Sequence, residues 1–276
     1  MPIVTLITDF GNKDYAVAAV KGALVSTIQN SQIIDISHQI EPYNVTQAAY
    51  VLKNAYKTFP KGSIHIVGVE SEKTPENNHL AMFFDGHYFI GADNGVFSII
   101  KGVFKAEKIV TINIYDQDAI VFPVLDTFVK VAAHLSRSGA LEVIGKPANH
   151  IKELVELRPV INPTGDQVVG SVIYVDNYGN VITNITRKLF NEIGKSRGFT
   201  IFARNVKFKE VFETYSEAID FNIPKEKRDE DGKKIALFND ADHLELAIYK
   251  SNPQSVGSAY SLFGLEYRDS VTVKFE

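Results

Sequence analysis

The chain has no cysteine, which excludes disulfides, thiolate metal sites and a cysteine nucleophile. It also has no apolar run approaching the ~20 residues of a membrane span. Its apolar opening, residues 1–10, is broken by Asp9 and lacks the basic flank of a secretion signal. No large cluster of Lys and Arg stands out, and 29 basic against 33 acidic residues leave a net charge of -4, so no nucleic-acid partner is expected. The seven histidines show neither H-x-x-x-H nor H-E-x-x-H spacing, so no metal and no cofactor are expected. G-x-G-x-x-G, G-x-x-x-x-G-K-[ST] and G-x-S-x-G are all absent, which argues against dinucleotide folds, P-loop enzymes and α/β-hydrolases. These absences leave a soluble protein, expected in the cytoplasm, with no membrane partner.

What is present is ordinary globular material. Of 276 residues, 45% are hydrophobic and 22% charged, enough for one large or two modest domains. Residues 3–8 form a continuous apolar run of strand length, as in a buried parallel strand. Helical spacing follows over 15–28, a strand over 33–36, a helix starting at Asn44 or Thr46, and a strand over 63–69. Asp85-Gly86 between two apolar runs is a hairpin signal. After Gly145, prolines and turn residues read as a connector, and strand patterns then dominate. The expectation is an α/β N-terminal domain over 1–157, with a mostly parallel sheet and helices on both faces, followed by a smaller, mostly antiparallel β domain over 158–276. The mixed-sign charge run 225–234 reads as a solvated loop.

Asp9 falls where the first strand ends, the place where open α/β sheets bind ligands. A carboxylate there can accept hydrogen bonds from two neighbouring hydroxyls, which suits a ribose diol. Asp14 suits either a ligand contact or a helix cap. Asp176-Asn177-Tyr178-Gly179-Asn180 follows a strand. It reads as a hairpin turn with Gly179 at positive φ, or as a base site in which Tyr178 stacks and the Asn180 amide meets the edge of adenine.

Five collinear stretches carry a family resemblance: 5–22 (TLITDFGNKDYAVAAVKG), 35–52 (DISHQIEPYNVTQAAYVL), 85–95 (DGHYFIGADNG), 175–185 (VDNYGNVITNI) and, more weakly, 244–247 (LELA). Together they resemble the S-adenosyl-L-methionine (SAM) hydroxide adenosyltransferases, relatives of the fluorinating and chlorinating SAM halogenases. The resemblance implies hydrolysis of SAM to adenosine and L-methionine by substitution at the 5′ carbon. It also implies a homotrimer with sites between subunits. It assigns Asp9 to the ribose diol, Asp14 to the amino acid end, Tyr43 to an aromatic position over the ribose, Tyr178 and Asn180 to adenine, and Asp176 to the methionine ammonium.

The water-handling half of the family pattern is altered. The hydrolases carry Asp and Arg in a loop after the third strand, where this chain has Glu70 and Asn77. They carry a His where this chain has Pro123 within 121–126 (VFPVLD). The Tyr-Ser halide pocket of the halogenases is missing too, and Asp240-Ala241 stands where they place a Ser-Arg pair. Glu70, or Glu72, is therefore the candidate general base, and Asp240 a candidate for a changed 5′ pocket. Two other readings stand beside hydrolysis: a non-catalytic adenosine or SAM binder, and an enzyme for another 5′-substituted nucleoside.

Overall fold

A computed structural model describes residues 1–114, 120–228, 230 and 232–276. The chain divides into two compact units, Met1–Val155 and Glu156–Glu276.

The first unit runs β1 (Ile3–Thr8), α1 (Ala16–Thr27), β2 (Gln32–Ser37), α2 (Val45–Ala55), β3 (Ile64–Gly68), β4 (His79–Phe84), β5 (His87–Ala92), α3 (Val96–Lys101) and β6 (Lys108–Ile112). A π-helical turn, Val124–Phe128, leads into α4 (Val129–Ser136), and α5 (Leu141–Ile144) and β7 (Gly145–Pro147) follow. The strands form one sheet in the order β2-β1-β3-β5-β4-β6-β7. Pairings among β2, β1, β3 and β5 are parallel, whereas β5-β4, β4-β6 and β6-β7 are antiparallel. The sheet is therefore mixed, not mostly parallel as the strand–helix alternation suggests. The cause is local. Asp85 and Gly86 take φ values of 50° and 75°, a two-residue turn that reverses the chain, and outward from β5 the strands β4, β6 and β7 alternate in sense, each antiparallel to its neighbour.

The apolar run of β1 is buried throughout its last five residues, and its alternation sends side chains into two cores. Val4 and Leu6 join Val20 and Leu24 of α1 and Val129, Val131 and Ala132 of α4. Ile7 joins Ala48, Ala49 and Leu52 of α2 and Val96 and Phe97 of α3. A short helix, α3, directly follows the Asp-Asn-Gly of the third motif and has no counterpart in the sequence reading.

The second unit comprises β8 (Val160–Ile161), β9 (Gln167–Val175), β10 (Val181–Thr186), α6 (Arg187–Gly194), β11 (Phe199–Ala203), β12 (Val206–Phe208), β13 (Lys234–Phe238), β14 (His243–Ile248), α7 (Ala259–Phe263) and β15 (Ser270–Phe275). Its sheet has the order β12-β11-β15-β9-β10-β14-β13, with β8 beside β9. Every pairing among these strands is antiparallel. In the charge run 225–234, residues 229 and 231 lie outside the described residues. The run is not wholly solvated: Arg228 and Glu230 pair at 3.4 Å with both side chains 14% exposed. Among the described residues no helix is long and apolar enough to cross a membrane.

Candidate functional site

Because β2, β1 and β3 are parallel, their carboxyl ends share one edge of the first sheet. The register pairs Ile7 with Ser37 and Thr8 with Gly68. His38, Asp9 and Glu70 therefore follow one another along that edge, each one or two residues past its strand. The buried Thr8 hydroxyl and His38 Nδ1 are 2.8 Å apart, and the Gly11 N–H donates to the His38 carbonyl at 2.7 Å, which joins the two strand ends.

The Asp9 carboxylate accepts the backbone N–H of Tyr43 at 2.9 Å. Tyr43 sits at φ 64°, and the residue is 75% exposed. The surrounding segment is tied down at both ends: Asn44 caps α2 by accepting from the Gln47 N–H at 3.0 Å, and Gln47 Oε1 accepts from the Glu41 N–H at 2.6 Å. The structure thus brings Asp9 and Tyr43 together. Asp14 is occupied differently. Its carboxylate accepts from the Ala16 N–H at 2.9 Å just before α1, whose N-cap residue, Tyr15, makes no side-chain cap bond.

The 121–126 run reaches the same edge through Gly68. A Cβ at this position would lie 3.0 Å from Thr8 Cγ2, 3.0 Å from Val124 Cγ2 and 3.3 Å from the Phe10 ring. A residue without a side chain lets β3 and the π turn approach this closely. Pro123 opens that turn with helical φ, a position where its missing N–H costs nothing. Phe122 packs edge-on against Phe10, centroids 5.4 Å apart. Apolar rings thus stand beside the position where the family resemblance places a histidine.

Glu70 lies two residues beyond β3 at φ 44°. Its carbonyl accepts from Asn94 Nδ2 at 3.3 Å, and the Val69 carbonyl accepts from the same nitrogen at 3.0 Å. Buried His79 donates from Nε2 to the Ser71 carbonyl at 3.0 Å. Burial lowers the His79 pKa to about 4, so the ring is neutral at pH 7. Glu72 is exposed. Asn77 does not open toward the strand ends as a free group: it is buried, and its oxygen accepts from Lys152 Nζ at 3.1 Å. Neither Asn94 nor His79 was singled out from sequence. Asn94 sits inside a quoted motif, and His79 is a polar residue heading an apolar strand, which is the available signal for each.

In the second unit, Asp176 organises the 176–180 turn. Its Oδ1 accepts from the Tyr178 and Asn180 N–H groups at 2.9 and 2.8 Å, and its Oδ2 from Asn180 Nδ2 at 3.0 Å. Burial raises its pKa against these bonds. Gly179 has φ 73°, so the hairpin-turn reading holds for the backbone. Tyr178 remains 65% exposed as a residue, while Asn180 is buried.

Asp240 is exposed on the next turn, where Asn239 Oδ1 accepts from the N–H groups of Ala241 and His243, each at 3.1 Å. Behind that turn lies Glu245, the acidic residue of the weak fifth motif, 3% exposed. It accepts from the Tyr215 hydroxyl and from Asn239 Nδ2. Burial raises its pKa, and the charges of Asp176 and Asp240 add to the effect. Those couplings place three carboxylates in one neighbourhood. Glu245 was missed from sequence because a lone Glu in a strand gives no sign that it is buried.

An open cleft of about 610 Å³ in the first unit is lined by residues such as Phe104, Ile109, Pro147 and His150 and by none of the sequence-derived candidates. The strand-end edge, with Asp9 and Glu70 just past neighbouring strands and residues 43 and 70 at positive φ, is the better candidate because its groups are chemically specialised.

The chain is similar to known proteins over much or nearly all of its length. It is 27% identical to the (R)-S-adenosyl-L-methionine hydrolase of Methanocaldococcus jannaschii, covering 99% of this chain and 96% of that protein. It is 22% identical to the fluorinase of Actinopolyspora mzabensis, covering 71% and 76% respectively. The fold matches a crystal structure of an uncharacterised conserved protein from Thermotoga maritima with a TM-score of 0.82 at 24% identity, covering 99% of this chain and all of that one. Family models for the SAM hydroxide adenosyltransferase N-terminal and C-terminal domains match residues 4–145 and 170–272. The chain belongs to the SAM hydroxide adenosyltransferase family.

Proposed function

We propose that this protein hydrolyses S-adenosyl-L-methionine to adenosine and L-methionine. The observation that carries the reading is the placement of Asp9 and Glu70 at the ends of two neighbouring parallel strands. Asp9 would hold the ribose diol and present Tyr43 beside it. Glu70 would accept a proton from a water whose oxygen attacks the 5′ carbon. The C5′–S bond breaks as the new C–O bond forms, and the sulfonium leaves as the neutral thioether of methionine. Holding water, carboxylate and 5′ carbon in line supplies much of the rate, and the apolar Phe10 and Phe122 rings exclude competing solvent.

For the base, the reading is that Tyr178 stacks and Asn180 meets the adenine edge. One Asn180 amide proton is committed to Asp176, and its oxygen and other proton suit a donor–acceptor edge. Asp14 would face the amino acid end of SAM and Asp176 the methionine ammonium, and both carboxylates also accept backbone N–H bonds that shape their turns. Asp240 would face the methionine end.

Further parts of the proposal are a homotrimer whose sites each draw on two copies, a cytoplasmic location and no bound cofactor. Helices on both faces of the first sheet also belong here, supported by the two separate cores on either side of β1.

The test is incubation of micromolar protein with SAM at pH 7–8, with Asp9→Ala as control, following adenosine and methionine by liquid chromatography–mass spectrometry. Adenosine and methionine formed in equal amounts, and lost in Asp9→Ala, are expected. A nucleoside retained in native mass spectra without turnover would replace this reading with a binding protein.

A further inference from the structure

Three successive carbonyls of the loop after β3 are held by two buried side chains. Asn94 Nδ2 serves the carbonyls of Val69 and Glu70, and His79 Nε2 serves that of Ser71. Asn94 is 3% exposed and His79 fully buried. The Asn94 amide is also fixed from its other end, because its oxygen accepts from the Val96 N–H at 3.2 Å. Its orientation therefore follows from its partners: nitrogen toward two carbonyls, oxygen toward an N–H.

The two side chains come from the two arms of one hairpin, His79 from the start of one strand and Asn94 from just past the end of the other. His79 begins β4 and pairs with Ala92, the last residue of β5, two positions before Asn94. The hairpin thus places both donors at one end. What they hold is a residue in an unfavoured conformation. Glu70 has a side chain and yet sits at φ 44°, a region that L residues enter only when surrounding contacts over-determine it. The direction of the Glu70 side chain depends on that backbone.

We infer that Asn94, assisted by His79, is a positioning residue for Glu70: its amide holds residue 70 in the left-handed conformation that aims the carboxylate. Asn94 touches no reacting atom in this scheme and acts only through Glu70. The inference rests on the proposed hydrolysis for its catalytic consequence, but not for its structural content.

Asn94→Asp keeps the shape and replaces the donor with an oxygen facing two carbonyls. The experiment compares wild type, Asn94→Asp, Glu70→Gln and the double variant, measuring kcat and KM for SAM. In parallel, carboxyl ¹³C spectra of glutamate-labelled protein are recorded, with the Glu70 signal assigned by its loss in Glu70→Gln. The expected result is a kcat at least tenfold lower in Asn94→Asp with KM changed less than threefold. In the Glu70→Gln background the same change should cost nothing further. Equal losses in both backgrounds would overturn the inference, because Asn94 would then act independently of Glu70. If wild type forms no adenosine, the proposed function falls, and the spectra decide the inference: a Glu70 signal moved by Asn94→Asp supports it, and an unmoved one overturns it. Should Asn94→Asp fail to fold, His79→Gln, which weakens the same clamp at Ser71, takes its place in the same comparison.

Discussion

The Tyr43 N–H and the Asp9 carboxylate meet at 2.9 Å across 34 positions of sequence. One carboxylate thus ends the first strand and also holds an exposed tyrosine at φ 64°. A ligand contact at Asp9 and the placement of the Tyr43 ring are consequently coupled.

Asp9→Ala should weaken adenosine binding by about 10–100-fold, since a hydrogen bond to a charged group contributes roughly 1.5–3 kcal/mol. Tyr43→Ala should also weaken it while leaving the fold intact, because the residue is exposed. Calorimetric titration with adenosine checks both, and unchanged affinity in Asp9→Ala would remove Asp9 from the site.

Glu70→Gln should lower the hydrolysis rate by about 10²–10⁴, the usual contribution of a general base. Glu72→Gln should leave it within roughly twofold, as for other exposed substitutions. Steady-state adenosine formation separates the two, and a larger loss in Glu72→Gln would transfer the role.

The first unit should lose stability in mild acid. His65 bonds Thr5 through Nδ1 at 2.7 Å and faces His87 through Nε2 at 3.2 Å. Burial lowers its pKa to about 3, with the neighbouring His87 adding to the effect, and burial lowers that of His79 to about 4. The unfolded chain binds these protons near pH 6.5 and the folded chain does not. Stability is therefore full above pH 6.5 and falls as pH drops toward the folded values, by roughly 2 kcal/mol per histidine between pH 6.5 and 5. Asp176 and Glu245, whose pKa values are raised, contribute with the opposite sign. Urea unfolding of wild type and His65→Gln at both pH values isolates the histidine. The variant should lose less between them, and equal losses would refute the assignment.

Gly179→Ala should destabilise the second unit by about 2 kcal/mol or more. The new Cβ would sit 2.2 Å from Ser258 Oγ and 2.4 Å from Ser258 Cβ, and φ 73° is itself strained for alanine. Adding Ser258→Gly should recover the steric part but not the backbone part. Denaturation midpoints of the single and double variants measure this, and no recovery would show that the clash had relaxed elsewhere.

Much of the local structure was legible. The buried run of β1, the start of α2 to within Asn44 or Thr46, the Asp85-Gly86 hairpin and the strands of the second unit follow from periodicity and turn residues, which act over a few positions. Five collinear motifs identified the family, and they marked Asp9, Tyr43, Tyr178 and Asn180. The mixed sheet was harder. The hairpin was visible, but the alternating sense of β4, β6 and β7 depends on which strands pair, and pairing is not a local property. Asn94, His79 and Glu245 were passed over for a related reason: a polar residue in an apolar stretch looks the same whether it faces water or a buried carbonyl.

By itself, the sequence determined the class of the protein, its family and the residue types available for chemistry, because composition, hydrophobic period and motif order are properties of the chain. Only the tertiary structure decided how those residues are used. Parallel pairing of β1 and β3 put Asp9 and Glu70 on one edge. Antiparallel pairing of β4 and β5 delivered His79 and Asn94 to the Glu70 loop. Both follow from strand register, which is set by the burial of all the strands together.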